Sequence, residues 1–463
     1  MRIFAELRFT CKELEMTTVA AISTPPAQGG IAMIRVSGDR AIAISEHMFY
    51  PYRKQKPSEM AGYTCSYGEI RDGSERIDDV ILTVFRAPHS YTGEDTVEIT
   101  CHGGLYVSKR ILGLLYRCGA EPAGPGEFTK RAFLNGKLSL SQAEAVMDLI
   151  RADGDAALRQ ANYAREGRLG KQMQTICAEL TDLLSAMTYW LDDAEEFPPE
   201  LSPAHLASQI GGISEKLHDM ISHYEDGRML REGIRTVLLG MPNAGKSTVM
   251  NWLCGSDKSI VTEYEGTTRD VITEQVRIGD YTLLLSDTAG IRETDNPIET
   301  IGIAAAFKAL EDADLVLYTV DAVCGLRSED MDALNRCGAR HVIILWNKAD
   351  LPHKPLPECG FPIIEIAAKE NPPLSILENT LQRILGETVT GTHISALNER
   401  QQHILIAAQG NIMQAQELLA AEAPLDLVCS ELELAANQLA EIEGRQVADD
   451  VIEGVFSKFC VGK

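Results

Sequence analysis

The sequence predicts a multi-domain chain: an α+β domain at the N-terminus, an α-helical bundle, and an α/β phosphate-loop domain inserted into that bundle. Three observations carry this expectation. A glycine-rich loop, Gly240-Met241-Pro242-Asn243-Ala244-Gly245-Lys246-Ser247, follows the apolar run Ile234–Leu239, giving the strand, loop and helix start that phosphate binding requires. Helical stripes lie on both sides of it, at steps of three and four residues. Met173, Ile176, Leu180, Leu183, Met187 and Trp190 form the first; Leu432, Ala435, Leu439 and Ile442 form the second. Ahead of both, the runs Ile31–Val36 and Val80–Phe85 read as strands, and Thr96–Thr100 leads into Cys101-His102-Gly103-Gly104.

In order along the chain, residues 1–16 are read as an N-terminal extension. They have neither an apolar signal core nor the acid-poor character of a transit peptide, because Glu6, Glu13 and Glu15 interleave with Arg2, Arg8 and Lys12. Met16, just ahead of an apolar segment, offers an alternative start. Residues 17–134 form the α+β domain and residues 135–232 the first helical part, interrupted at Pro198, Pro199 and Pro203. The phosphate-loop domain spans 233–390, and helical pattern resumes over 391–463. The two stripes are read as faces of one bundle core, built from both flanks of the insert, rather than as a coiled-coil seam. The chain contains no internal repeat and no low-complexity tract.

With 463 residues and 45% hydrophobic composition, the chain can bury several cores. No apolar run approaches the ~18 residues of a membrane span, so no membrane association is expected. Eleven cysteines without a Cys-x-x-Cys pair argue against a zinc site and a disulfide framework and fit a reducing cytoplasm. The net charge of −24 repels phosphate backbones, so any RNA contact is expected to be local or to come through a partner.

The phosphate loop sits in a context that selects GTP. Its curled backbone aims N–H groups at phosphate oxygens, Lys246 adds charge at the terminal phosphates, and the Ser247 hydroxyl can ligate Mg2+. The strand from Tyr281 to Leu285 ends in Asp287-Thr288-Ala289-Gly290, where an acid can reach the metal and a glycine N–H can sense the terminal phosphate. Gly266-Thr267-Thr268-Arg269-Asp270 supplies switch-loop hydroxyls. The strand from His341 to Trp346 ends in Asn347-Lys348-Ala349-Asp350, whose carboxylate can accept from the N1–H and exocyclic amine of guanine. Adenine offers no such donor pair. Pro362 to Ala368 with Lys369 makes the last guanine-side strand and loop, with Ala367 where GTPases usually carry serine. Ile291 stands where small GTPases place the water-orienting glutamine, which leaves Glu299, Glu293 or Asp295 for that role.

Taken together, the residues resemble the bacterial and organellar MnmE (TrmE) family of tRNA-modification GTPases over nearly all of the chain after Met16. The resemblance rests on the GTPase loops and on Ser23-Thr24-Pro25-Pro26 with Gly29-Gly30, Ile34-Arg35-Val36-Ser37-Gly38, Tyr91-Thr92-Gly93-Glu94-Asp95 and Cys101-His102-Gly103-Gly104. It extends to the run from Pro125 to Lys137 and to the terminal Phe456-Ser457-Lys458-Phe459-Cys460-Val461-Gly462-Lys463.

The resemblance implies a homodimer joined through N-terminal domains of a tetrahydrofolate-binding-like fold. It implies a separate FAD-dependent partner protein with which the chain installs an aminomethyl or carboxymethylaminomethyl group on the wobble uridine of certain tRNAs, the tRNA being held largely through the partner. A formyl or methylene tetrahydrofolate derivative would give the one-carbon unit, with Arg35, Glu98, Lys137 and Lys463 as folate contacts. Cys460 would lie near the folate, either as a thiol in the chemistry or as a small packing residue; its Cys-a-a-X spacing suits prenylation poorly, because Gly462 and Lys463 follow. In the GTPase part the resemblance implies K+-stimulated hydrolysis on paired GTPase domains, with K+ held by Asn243, Thr267 and the carbonyls of Thr262 and Tyr264. Ser247 and Thr268 would hold Mg2+, and Glu299 would orient the water. Residues Thr262-Glu263-Tyr264-Glu265-Gly266-Thr267-Thr268 would border the nucleotide together with Thr248. Two other readings stand beside this one: a ribosome-assembly GTPase, for which the acidic chain lacks a basic RNA-binding appendage, and a GTP-dependent scaffold without chemistry of its own.

Overall fold

A computed structural model describes residues 17–192, 202–255, 274–286, 310, 313–337, 341–390, 397–444 and 447–463. The chain divides into two compact units, Met1–Met147 with Glu443–Lys463, and Asp148–Ile442.

The first unit is α+β. Its strands are β1 Val19–Ile22, β2 Ile31–Ser37, β3 Phe49–Pro51, β4 Thr64–Asp72, β5 Glu75–Phe85, β6 Thr96–His102 and β7 Glu121–Pro122. They form one sheet in the order β3-β4-β5-β6-β2-β1-β7, antiparallel except for the parallel β1–β7 pair. The period of two is plain on the inward face, where Ala32, Ile34 and Val36 alternate with partly exposed neighbours on β2. Val80, Leu82 and Val84 of β5 and Val97, Ile99 and Cys101 of β6 join them in a core covered by the helices Ala41–Glu46 and Leu105–Arg117. Each Val, Leu or Ile side chain among them contributes about 1.5–3 kcal/mol through burial. Strand β5 starts at Glu75, ahead of the apolar run that marks it in sequence, because the charged residues Arg76, Asp78 and Asp79 also pair with β4.

The end of the chain returns to this unit, although the sequence places it with the helical part. Ile452, Phe456 and Phe459 pack on Phe133, Leu140, Ala143 and Met147, and Val461 bridges to Pro125. Apolar burial, not the helical stripe, decides where the tail goes.

The second unit contains the bundle and the inserted domain. One core is shared by the helices Arg168–Asp192, Pro203–Ser222, Glu399–Ala420 and Leu425–Ile442. Met173, Ile176, Leu180, Leu183 and Met187 of the first stripe and Leu432, Ala435, Leu439 and Ile442 of the second are all buried in it; the Trp190 side chain lies outside the description. Pro203, read in sequence as a break, instead opens the Pro203–Ser222 helix at its first position, where the missing N–H has no intrahelical partner to lose. Asn398 caps the Glu399–Ala420 helix by accepting from Gln401 N, in a reciprocal capping box.

Between Glu232 and Leu397 runs an α/β domain. Its strands are β8 Ile234–Leu239, β9 Glu274–Ile278, β10 Tyr281–Ser286, β11 Leu315–Asp321, β12 His341–Asn347 and β13 Ile363–Ile366. The order β13-β12-β11-β8-β10-β9 places β8 centrally, and all neighbours are parallel except β9 with β10. Strand β11 is buried over Leu315–Val320, with Leu317 in the core on one face and Tyr318 in the core on the other, as expected of a parallel strand covered on both faces. Because β10 and β11 lie on opposite sides of β8, the chain reverses direction across the sheet there. In such sheets ligands bind outside the carboxyl ends of the strands at that reversal.

Candidate functional site

The phosphate loop follows β8 and runs into the Lys246–Gly255 helix. Three residues in it have positive φ, Gly240 at 143°, Asn243 at 65° and Gly245 at 98°. At Gly245 a side chain has no room: a Cβ there would lie 2.3 Å from Asn347 Nδ2. Lys246 curls over the loop, its Nζ donating to the carbonyls of Gly240 (2.8 Å) and Met241 (3.1 Å). Ala244 is buried, and Asn243 and Ser247 are exposed at the loop and the helix start, with Thr248 next in the first turn.

Asn347, at the end of β12, is 3% exposed and ties two loops together. Its Nδ2 donates to Ala244 O (3.1 Å) in the phosphate loop, and its Oδ1 accepts from Ala368 N (3.1 Å) in the last loop. Lys348, left-handed at φ 68°, donates from Nζ to Asn243 O (2.8 Å) and to Asp321 Oδ2 (2.6 Å). Ala349 N donates to Ile366 O, and Asp350 is exposed beyond it. Ala367 precedes the single turn Ala368–Glu370, which carries Lys369. So Asn243 to Thr248, Asn347 to Asp350 and Ala367 to Lys369 converge at the carboxyl edge of the sheet.

Asp321, the last residue of β11, was not singled out by sequence. Burial pushes its carboxyl up, but the hydrogen bond and charge of Lys348, with the N–H groups of Val323 and Cys324, outweigh this and hold it below its ordinary value. The remaining expected nucleotide and cation residues, Thr262, Glu263, Tyr264, Glu265, Gly266, Thr267, Thr268, Asp287, Thr288, Ala289, Gly290 and Glu299, lie outside the described residues, as do Glu293 and Asp295.

In the first unit, Arg35 of β2 and Glu98 of β6 are direct register partners. Arg35 Nε (2.9 Å) and a terminal nitrogen (2.8 Å) both donate to Glu98 Oε1. The guanidinium lies 5.6 Å from the Tyr91 ring centre and 5.4 Å from that of Phe128, distances at which a cation is attracted to an aromatic face. The loop holding Tyr91 is fixed from below, where Ser37 Oγ donates to Glu94 Oε2 (2.7 Å) and Arg131 pairs with the same buried carboxylate (3.1 Å). Lys137 Nζ donates to Pro88 O (3.1 Å), at the start of that loop.

The tail reaches the same place. Lys463 O accepts from Phe128 N (3.0 Å), Gly462 O from Ser23 Oγ (2.9 Å) and Cys460 O from Gly126 N (3.3 Å). Phe128 therefore joins Arg35, through its ring, to Lys463, through its amide. Cys460 itself is exposed. The part played by Phe128 has no signal in the sequence beyond its place in the Pro125–Lys137 run.

Comparison with known proteins agrees over nearly the whole length. Residues 18–137 match the family described as the GTP-binding protein TrmE N-terminus, and residues 140–460 match the MnmE helical domain. The tRNA modification GTPase MnmE of Acetivibrio thermocellus is 40% identical over 457 residues, 96% of this chain and 99% of that one. That of Lactococcus lactis subsp. cremoris is 40% identical over 453 residues, with 97% and 99% covered. That of Carboxydothermus hydrogenoformans is 38% identical over 457 residues, with 96% and 99% covered. The chain belongs to the MnmE (TrmE) family of tRNA modification GTPases.

Proposed function

We propose that the chain is a GTP hydrolase of tRNA modification, acting as a homodimer with an FAD-dependent partner protein to add an aminomethyl or carboxymethylaminomethyl group to the wobble uridine of certain tRNAs. The observation that carries the nucleotide part is Asn347, whose amide links the phosphate loop at Ala244 to the guanine-side loop at Ala368, so phosphate and base would be read by one connected site.

The residues present fit a magnesium-bound guanine nucleotide. The Lys246 ammonium lies at the loop mouth, where it donates to the carbonyls of Gly240 and Met241, in place to meet the phosphates of an incoming nucleotide. Ser247, exposed at the helix start, would hold Mg2+ together with Thr268, and Asp287 would stand beside the metal. The Asp350 carboxylate would accept from guanine. The Ala368 N–H is already bonded to Asn347, so Ala367 and Lys369 would supply the remaining backbone contacts to the base. Glu299 would orient the attacking water. Asn243, Thr262, Tyr264 and Thr267 would hold K+, which supplies positive charge at the phosphates when two GTPase domains pair.

The first unit fits a folate. Both contacts from Arg35 fall on Glu98 Oε1, so Oε2 would take a donor from the pterin, with the Tyr91 and Phe128 rings beside it. Lys137 and Lys463 would meet the ligand's acidic tail, and Cys460, exposed at the same end of the unit, would lie close to the one-carbon group. tRNA would be engaged largely through the partner protein, given the net charge of −24. No described helix is long and apolar enough to cross a membrane, and work in the cytoplasm fits the absence of a Cys-x-x-Cys pair in the sequence.

The test is GTP turnover by the purified protein in K+ and in Na+, joined to mass spectrometry of wobble nucleosides from cells lacking the chain. Faster turnover in K+ and accumulation of unmodified uridine are expected. Equal rates in the two ions, or fully modified tRNA, would overturn the reading.

A further inference from the structure

Asp321 ends β11 opposite Asn347, its register partner at the end of β12. The turn that follows fixes the carboxylate: Oδ1 accepts from Val323 N (3.0 Å), and the Asp321 carbonyl accepts from Gly325 N (2.8 Å). Oδ2 is thereby turned to Lys348 Nζ at 2.6 Å. The same ammonium donates to Asn243 O at 2.8 Å. The lysine side chains of exposed loops ordinarily sample many rotamers. Here the backbone of Lys348 is held in the turn that also carries Asp350, because Leu351 N donates to Lys348 O, while its charged head is held at the phosphate loop. The four-carbon stem thus runs from the base-side turn to the phosphate loop, and Asp321 is the charge that keeps it there.

We propose that Asp321 is a positioning residue for guanine-nucleotide binding, acting through Lys348 to hold the base-side turn and the phosphate loop at Asn243 in one arrangement before ligand arrives. The inference rests on the guanine-nucleotide reading above. Its physical content is pre-organisation: the ligand meets a lysine whose rotamer is already set, so less ordering is charged against binding. The pair is about a quarter exposed, with side chains 33% and 21% accessible, so solvent screens part of the attraction.

The experiment is equilibrium titration of the full chain with a fluorescent GDP analogue. The variants are Asp321→Asn, which keeps an acceptor for Val323 N but removes the charge, Lys348→Met, which keeps the stem but removes the ammonium, and the double variant. Asp321→Asn is expected to bind about tenfold more weakly, the loss of one charge-assisted hydrogen bond, and the double variant to bind no more weakly than Lys348→Met. A role only in folding of the strand end would make the two losses add. Wild-type affinity in Asp321→Asn, wild-type affinity in Lys348→Met, or additive losses would each overturn the inference while leaving the nucleotide reading in place. Absence of GDP binding by the wild-type chain would instead remove both. Should Asp321→Asn fail to fold, Asp321→Ser takes its place in the same cycle, with the same outcomes expected and the same outcomes overturning the inference.

Discussion

Arg228 and Asp314 meet as a buried ion pair where the helical bundle hands over to the inserted domain, with side chains 7% and 9% exposed. Arg228 lies in the Tyr224–Glu232 helix that leads into β8, and Asp314 immediately precedes β11. The guanidinium also bonds Glu225 (2.7 Å), and the second Asp314 oxygen accepts from Arg235 N (2.9 Å). Burial lowers the affinity of Arg228 for its proton, but the bonds to Asp314 and Glu225 outweigh this and raise it.

Such a pair costs much to break from one side, because the remaining charge stays buried. Arg228→Met is expected to lower stability by about 3 kcal/mol, and adding Asp314→Asn to cost less than the sum of the two single changes. Urea unfolding of the four proteins checks this; additive losses would show that the pair is not coupled.

Gly462 sits at φ 97°, and a Cβ there would stand 2.4 Å from Ile22 O. Gly462→Ala should therefore lift the tail from β1 and loosen the Lys463 contact with Phe128, by strain and by clash together. The expected outcome is binding of a tetrahydrofolate derivative weakened about tenfold or more, a loss of ~1.4 kcal/mol or more, with GDP binding unchanged. Calorimetric titration with each ligand separates the two sites.

Cys101 is 3% exposed, and burial, with the nearby Asp78 charge, pushes its thiol up to about 11. The sign follows: the folded chain keeps this proton above the pH at which the unfolded chain releases it. Stability from this group is complete below about pH 9 and falls as pH rises from there through about 11. Alkylation at pH 8 should accordingly modify the exposed Cys65, Cys324 and Cys460 and spare Cys101 until the chain is unfolded. Mass spectrometry of the alkylated protein reads this directly.

What the sequence disclosed and what it hid follow one physical division. Strand β8 begins and ends at Ile234 and Leu239 as its largely apolar run does, because Gly233 and Gly240 on either side take positive φ, which ends the extended backbone. The bundle faces were legible through burial at helical period. Pairings between residues distant in sequence were not. Asp321 and Lys348, or Arg228 and Asp314, are ordinary charged residues until the sheet brings them together, and no local rule distinguishes them from solvated ones. The two prolines at 198 and 199 could be read only as breakers, whereas Pro203 shows that the same residue also starts a helix.

Residues near the two ends of the chain close one fold: Ser23 donates to Gly462, Phe128 to Lys463, and Phe456 packs on Phe133. A ribosome making this protein releases the β-sheet about 300 residues before the segment that seals it. While the intervening helices and the GTPase segment emerge and collapse locally, the sheet waits with Phe133 and Leu140 uncovered. The domain that begins folding earliest is thus finished only after the segment from Ile452 to Lys463 has emerged, and the apolar surface it leaves open until then is the part of the nascent polypeptide that holdase chaperones would have reason to shield.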